Sequence, residues 1–455
     1  MKKHVLILGA FVCMSLFSCN SDNSTDPNEG GENDEVSEEE MEEEVDEVEE
    51  GASNPNVLLV IADDMGLDAT PGYSEIESQK PNMPTLQGFV DNGIRFTNVW
   101  AYPTCTPTRS SIITGKYGFR TDVMGVGDQL STSETTLQNY INSNTNEGYA
   151  QAVIGKWHLS NDEDHPSQMG IPYYAGILGG TPRAYDNWNF TTGGSTTNSR
   201  EYITTKFTDL AIDWLGEQTK PWFLWLAYTA PHVPFHLPPD NLHSQGALPT
   251  DDASIADNPL PYFFAMLEAM DTELGRLLGT LSEETLENTV IIFIGDNGTT
   301  SQTAQEYRSN RVKGSVYQGG INVPMVISGK NVSRVKEVED AFINSTDLFA
   351  TIADLTGSGV AEINDSISFK NLLSAEGDSR IYTYSEVRTN SGGIDYTMRN
   401  TTHKYISFNN GSEALYNLTD DPFEITNLLS RDLTEENALI KEELLDELAK
   451  LKEGN

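Results

Sequence analysis

A chain of 455 residues with 69 Asp and Glu against 28 Lys and Arg carries a formal net charge of −41. That balance excludes nucleic acid as a partner, because phosphate backbones are bound through clustered Lys and Arg. A hydrophobic content of 37% suits a globular body with a sizeable core.

The chain opens like an export signal. Lys2, Lys3 and His4 precede an apolar run from Val5 to Phe17. The run is too short to span a bilayer and has the length of a signal h-region. It ends in Leu16-Phe17-Ser18-Cys19, which resembles a bacterial lipoprotein box with an unusually bulky Phe17. On this reading residues 1–18 are a lipoprotein-type signal peptide and Cys19 carries lipid. The alternative is a plain signal cleaved nearby. Lipidation makes the protein an exported envelope lipoprotein, periplasmic or at the cell surface, held to the membrane by its lipid anchor only. Cys13 then leaves with the signal, so Cys105 is the one thiol left and no intrachain disulfide can form. Residues 19–52 follow as an acidic tether: Asn20 to Ala52 holds sixteen Asp and Glu and no Lys or Arg. Such a stretch repels itself and has too little apolar surface to fold.

Beyond residue 53 apolar runs end in polar residues. "NVLLVIADD" ends at Asp63 and Asp64, "YAQAVIGKWH" at Lys156 and His158, "KPWFLWLAYTAPH" at His232, and "NTVIIFIGDNG" at Asp296 and Asn297. Short runs rich in Val, Ile and aromatics, closed by Gly, Pro or Asp, predict buried strands. "TKFTDLAIDWLGEQ" and "YFFAMLEAMDTELGRLLGTL" between them predict helices. Alternating strands and helices predict an α/β fold with a large, mostly parallel sheet flanked by helices. Ligands of such sheets gather beyond the carboxyl ends of the strands, where all four runs place their polar residues. After Gly357 the pattern changes to short strands, "RIYTYSEV", "IDYTMRN", "HKYISFNN" and "EALYNL", and an amphipathic terminal helix. The expected division is a catalytic domain over 53–357 and a smaller α+β subdomain over 358–455.

Asp63, Asp64 and Asp296 would bring three carboxylates together, and Asn297 adds a neutral oxygen. Without a cation their repulsion would raise their pKa values. Four oxygens without a thiol pair suit a hard divalent ion, calcium or magnesium. Each pair alone is also an ordinary strand-closing turn. The stretch "YPTCTPTRSSIITGKYGFRT" holds Cys105, and Pro107 predicts a helix starting just after it, with Arg109 about a turn on. That places the sulfur near a positive helix end, suited to a nucleophile, although a lone cysteine is most often a small buried hydrophobe.

"CTPTR" matches the Cys-x-Pro-x-Arg core of the type I sulfatases of the alkaline phosphatase superfamily. "NVLLVIADDMG", "GYAQAVIGKWHL", "FLWLAYTAPHVPF", "FIGDNGTT", "RVKGSVYQGGINVPMVISG", "STDLFATIADLTG" and "ALYNLTDDPFEITNLL" resemble further segments of that family, in the same order. The resemblance implies an alkaline phosphatase-like fold and an exported sulfatase, a sulfuric ester hydrolase acting on a sulfated small molecule or glycan. It implies that a formylglycine-generating enzyme converts Cys105, before folding, to an aldehyde whose hydrate is the nucleophile. It implies Ca2+ held by Asp63, Asp64, Asp296 and Asn297 beside the converted Cys105. Arg109 would hold the nucleophile loop, and Lys156 and Lys313 would neutralise sulfate oxygens. His232, alone or together with Lys313, would protonate the leaving oxygen, and His158 would take a proton from the second hydroxyl. Gln318 stands where the family often has Glu, and a structural effect is expected there. Residues 160–197 are not aligned by this resemblance; their Tyr, Trp and Arg are candidate substrate contacts, as is His236. A phosphonate or phosphate ester hydrolase of the same superfamily is the alternative function, and a non-catalytic surface binding protein a more distant one.

Overall fold

The computed structural model of the chain describes residues 54–377 and 380–454; the signal, lipid and tether expectations for residues 1–52 lie outside these. Asn56–Ala62 (NVLLVIA) forms a strand buried along its whole length. Its residues alternate between two apolar clusters, with Val57, Leu59 and Ile61 in one and Leu58, Val60 and Ala62 in the other. The sheet therefore separates two cores, which is why the run shows no polar alternation.

Ten strands make this sheet. Their order is Glu337–Glu339, Gly93–Phe96, Met325–Gly329, Thr289–Gly295, Asn56–Ala62, Trp222–Ala227, Ala150–Lys156, Tyr174–Ile177, Trp188–Thr192 and Ser195–Ser199. The strands from Thr289–Gly295 to Tyr174–Ile177 run parallel. Met325–Gly329 is antiparallel to both its neighbours, and so is Trp188–Thr192. Ala62 pairs with Gly295 and Ala227 with Gly155, so the four polar strand ends emerge along one edge. Gly155 is required there, since a Cβ would lie 2.0 Å from the Ala227 carbonyl oxygen. Trp188–Thr192 and Ser195–Ser199 form a hairpin closed by Gly193 and Gly194, both at positive φ, in which Thr192 pairs with Ser195.

Helices Ile203–Gly216 and Leu260–Leu278 pack on one face through Phe207, Ala211, Met270 and Leu274. Cys105–Thr114 and Asp347–Leu355 lie on the other. Cys105 is the first residue of its helix, two positions earlier than Pro107 suggests. Thr104 precedes it in extended backbone, with no side-chain cap hydrogen bond.

A second sheet of four antiparallel strands, Thr383–Arg388, Ile394–Arg399, His403–Ser407 and Glu413–Asn417, follows in simple chain order. Helix Glu435–Glu453 covers it through Leu444 and Leu448, which share a cluster with Tyr384, Met398, Tyr405 and Leu415. Ser385 donates to the Ala101 carbonyl at 2.8 Å, and the Phe119 N–H donates to Glu386 at 2.7 Å. Lys404 and Glu424 form a fully buried ion pair of 2.8 Å, with the Lys404 ammonium 5.0 Å from the Trp100 ring centre. Glu424 also accepts the Gln318 backbone N–H at 2.6 Å, while the Gln318 side-chain oxygen is buried without a partner. A carboxylate from another segment thus lies beside the position where the family often has its own.

Candidate active site

The edge where the parallel strands end gathers all ten residues expected to do chemistry. Asp63, Asp64, Arg109, Lys156, Asp296 and Asn297 are wholly buried, and Cys105 is 1% exposed. His158 and Lys313 are partly exposed and form the mouth. One ligand atom from each of Asp63, Asp64, Cys105 and His232 lies within 4.8 Å of the others.

Ion pairs and hydrogen bonds fix the arrangement. Lys156 Nζ meets Asp63 Oδ2 at 2.5 Å, and Lys313 Nζ meets Asp64 Oδ1 at 2.5 Å. Arg109 donates from Nη2 to Asp296 Oδ2 and from Nη1 to the Lys156 carbonyl, both at 2.8 Å. It thereby ties the Cys105 helix to two strand ends. Asp296 Oδ1 accepts the Asp64 backbone N–H at 3.1 Å, and Asn297 Nδ2 donates to Asp64 Oδ1 at 2.8 Å. His232 Nε2 lies 3.8 Å from Asp64 Oδ2. Asp64 and His158 both take left-handed backbone, with φ of 76° and 56°.

Three carboxylates face three permanent cations, so the site is close to neutral before any ion binds. Burial alone would raise the Asp64 carboxyl, but the charges of Lys313, His232 and Lys156 outweigh it and hold the group down at about 2. Burial and the neighbouring Asp63 push Asp296 up to about 6. Burial pulls His232 down to about 4 against the pull of Asp64. Burial, then the charges of Lys156 and Arg109, pull His158 down, so both histidines are neutral at pH 7. Burial and Asp63 push the Cys105 thiol up. The sulfur is a neutral thiol and not the activated anion that the helix end alone would suggest.

Three buried oxygens of this site have no hydrogen-bond partner among the described residues: Asp63 Oδ1, Asp64 Oδ2 and Asn297 Oδ1. An orphaned buried acceptor is costly, and three just beyond the ends of two adjacent parallel strands fit a hard cation. Both Asp296 oxygens are engaged, by Arg109 and by the Asp64 N–H.

Other expectations resolve differently. Tyr185 and Trp188, candidate substrate contacts, are buried at 2% and 1%. Tyr185 donates to the carbonyls of Thr229 and His232, at 2.9 and 2.7 Å, and so supports the His232 loop. Trp188 donates to the Glu201 carbonyl at 2.9 Å inside the core. His236 packs against the Tyr185 ring at 4.2 Å and meets the Tyr202 hydroxyl at 3.1 Å. His165 is a core histidine bonded to Trp157 and the Leu130 carbonyl. Arg183 is exposed and lines a cleft of about 670 Å³ with Asn161, Asn189 and Asn198. Thr299 was not singled out in sequence; its hydroxyl accepts the Gly66 N–H at 3.1 Å and donates to Asp68.

The comparisons agree on the family. A sequence model described as Sulfatase matches residues 55–358, and one described as N-sulphoglucosamine sulphohydrolase, C-terminal, matches 311–454. The chain is 26% identical over 358 residues to the uncharacterized sulfatase YdeN of Escherichia coli (strain K12), covering 66% of this chain and 62% of that protein. It is 24% identical over 372 residues to arylsulfatase G of Rattus norvegicus, covering 69% and 67%. It is 23% identical over 436 residues to the choline-sulfatase of Rhizobium meliloti (strain 1021), covering 82% of each. Among solved structures it resembles Ps i-CgsB in complex with k-i-k-neocarrahexaose, with a TM-score of 0.74 and 21% identity over 88% of this chain and 93% of that one. It also resembles the phosphonate monoester hydrolase of Agrobacterium radiobacter, with a TM-score of 0.66 and 19% identity over 88% and 95%. With the family model covering both metal-side strand ends, the cysteine helix and the lysine segment, the chain belongs to the sulfatase family of the alkaline phosphatase superfamily.

Proposed function

We propose that the protein is an exported, lipid-anchored sulfatase that hydrolyses sulfate esters of carbohydrates through a formylglycine made from Cys105, with calcium at Asp63, Asp64, Asp296 and Asn297. The observation that carries this reading is the meeting of Cys105, Asp63, Asp64 and His232 within 4.8 Å, on a chain of the sulfatase family. Hydrated formylglycine supplies the oxygen nucleophile that a neutral, buried thiol does not. Calcium supplies positive charge that polarises a sulfate oxygen.

The chain's own residues do the rest. With three carboxylates already matched by Arg109, Lys156 and Lys313, a divalent ion gives the site a net charge of about +2. That local excess lets an otherwise acidic protein admit an anionic ester. Lys156, wholly buried, and Lys313, at the mouth, would neutralise sulfate oxygens, an effect that burial strengthens at Lys156. The leaving oxygen would take its proton from the charged Lys313, or from His232 once that imidazole has taken one up, and His158, neutral at the mouth, would accept one. Tyr185 holds the His232 loop in position. A carbohydrate substrate is supported by a fold neighbour solved with its substrate D-glucosamine-2-N,6-O-disulfate, with a TM-score of 0.72.

The second reading is a phosphonate or phosphate ester hydrolase, favoured by the fold likeness to a phosphonate monoester hydrolase. One experiment separates them. The protein is produced with a formylglycine-generating enzyme, conversion of Cys105 is verified by mass, and matched sulfate, phosphate and phosphonate esters are offered. Sulfate release that vanishes in Cys105→Ala is the expected result. Preferential phosphate or phosphonate release would overturn the sulfatase reading and keep the superfamily.

A further inference from the structure

The loop that carries Lys313 is held from two sides. Toward the large sheet, the Lys313 N–H donates to the Thr299 carbonyl at 3.0 Å and the Gly314 N–H to the Pro103 carbonyl at 2.8 Å. Those bonds set the loop beside the Asn297 strand end and the Cys105 helix. Toward the C-terminal part, buried Val316 shares an apolar cluster with Val387, Ile406, Ala414, Tyr416 and Leu418. The first four of these partners sit on strands of the small sheet, so that sheet is the bed on which the outer side of the loop rests.

One residue reaches both flanks of the loop from that side. Arg311, just before Lys313, donates from Nη1 to the Glu424 carbonyl, and its guanidinium lies 4.4 Å from the Tyr317 ring centre. Gln318, at the far end of the loop, donates its N–H to Glu424 Oε2 at 2.6 Å. Glu424 Oε1 lies 2.8 Å from the Lys404 ammonium, with both side chains buried. The Glu424 backbone is fixed as well. Its N–H donates to the Asp421 carbonyl at 3.1 Å, and the Asp421 carboxylate accepts the Ile425 and Thr426 N–H groups at 2.8 and 2.7 Å. A hydrogen bond to a carboxylate is stronger than one to a neutral acceptor, and the paired lysine keeps this carboxylate in place. Residues 312–317 form neither helix nor strand, so contacts from other segments, and no backbone ladder, hold Lys313 where it is.

We infer that Glu424 is a positioning residue for Lys313: it closes the loop from both ends and so holds the ammonium against Asp64 at the mouth of the site. What Lys313 does there rests on the sulfatase reading above; how it is held does not. Lys313 Nζ meets Asp64 Oδ1 at 2.5 Å, and its side chain is 19% exposed, with room to swing toward solvent. An ammonium on a flexible four-carbon stem keeps its place only if the backbone beneath it does. A misplacement of about 1 Å in a group that acts on the reacting atoms costs up to about a hundredfold in rate. Removing the Glu424 carboxylate frees the Gln318 N–H and leaves Lys404 unpaired in the interior, which loosens the far flank of the loop. The Thr299 and Pro103 carbonyls still hold its inner side, so the expected loss is partial and smaller than that of removing Lys313 itself.

The test is a double-mutant cycle on the converted enzyme. Glu424→Ala, Arg311→Ala and Lys313→Ala are made singly, and the first two are each combined with the third. The substrate is the sulfate ester that wild type turns over fastest. Glu424→Ala should lower kcat/KM about tenfold and Arg311→Ala about threefold. In the Lys313→Ala background each should cost less than about twofold, because the group they place is gone. A merely structural role would give equal losses with and without Lys313. Equal losses, or no loss in wild type, would overturn the proposal. If wild type turns over no sulfate ester, the sulfatase reading falls by itself. Deuterium exchange of the 311–320 amides then decides the clamp, as it does where Lys313→Ala is inactive. Faster exchange there in Glu424→Ala, with the Asn56–Ala62 strand unchanged, upholds it, and unaltered exchange overturns it. If Glu424→Ala does not fold, Arg311→Ala, at a half-buried position, carries both measurements with the same criteria.

Discussion

Asp63 Oδ1, Asp64 Oδ2 and Asn297 Oδ1 are acceptors that protein groups leave unused. A resident ion should therefore register in stability as well as in turnover. Chelation is expected to lower the unfolding midpoint, and calcium at about 100 times its dissociation constant to return about 2.7 kcal/mol. Asp64→Asn should shrink that return. A midpoint unmoved by calcium would remove the ion from this site. These residues were legible in sequence because each ends an apolar run, and the run itself marks where the chain leaves the sheet. Tyr185 and Thr299 were not: their roles depend on the Thr229 and His232 carbonyls and on the Gly66 N–H, all distant in the chain. No local pattern records such pairings. Cys105 was legible as a motif but not as a neutral thiol, because burial and Asp63, which set its state, come from the folded surroundings.

Strands show the same division. The four central runs were readable because burial on both faces demands unbroken apolar sequence, and Leu59 at 0% exposure is a case in point. Leu59→Ala should cost about 2–5 kcal/mol in urea unfolding, since the neighbouring strands cannot close the cavity. A loss of under about 1 kcal/mol would mean that the core repacks. The hairpin Trp188–Thr192 to Ser195–Ser199 was hidden by its mixed polarity, with exposed Asn189, Asn198 and Thr197 at the sheet's edge. There one face is wet, and turn chemistry at Gly193-Gly194 carries more information than hydrophobicity.

For the molecule as a whole, acid should act through buried imidazoles. His236 packs against two tyrosines, and burial pulls its pKa from 6.5 to about 4. Between those values the unfolded chain binds a proton that the native imidazole refuses, so stability rises with pH across this window. That contribution is full above pH 6.5 and is lost as pH falls toward 4. The unfolding midpoint should drop over this range, and His236→Gln should make the drop shallower. An identical drop in the variant would assign acid sensitivity to other groups. The two sheets and their order were legible from the change of pattern after Gly357, but the buried Lys404–Glu424 pair was not, because charged residues on short strands read as surface.

Asp64 and His158 stand in backbone that glycine would occupy more easily. On the proposed function, the carboxylate and the imidazole are what justify them there. The fold and the reaction thus make opposite demands at two points of the same edge. A loosely packed scaffold would relax at such points and let the side chains swing away. A sheet clamped between apolar cores on both faces resists that relaxation, so the rigidity of the interior is a precondition of the chemistry at its rim.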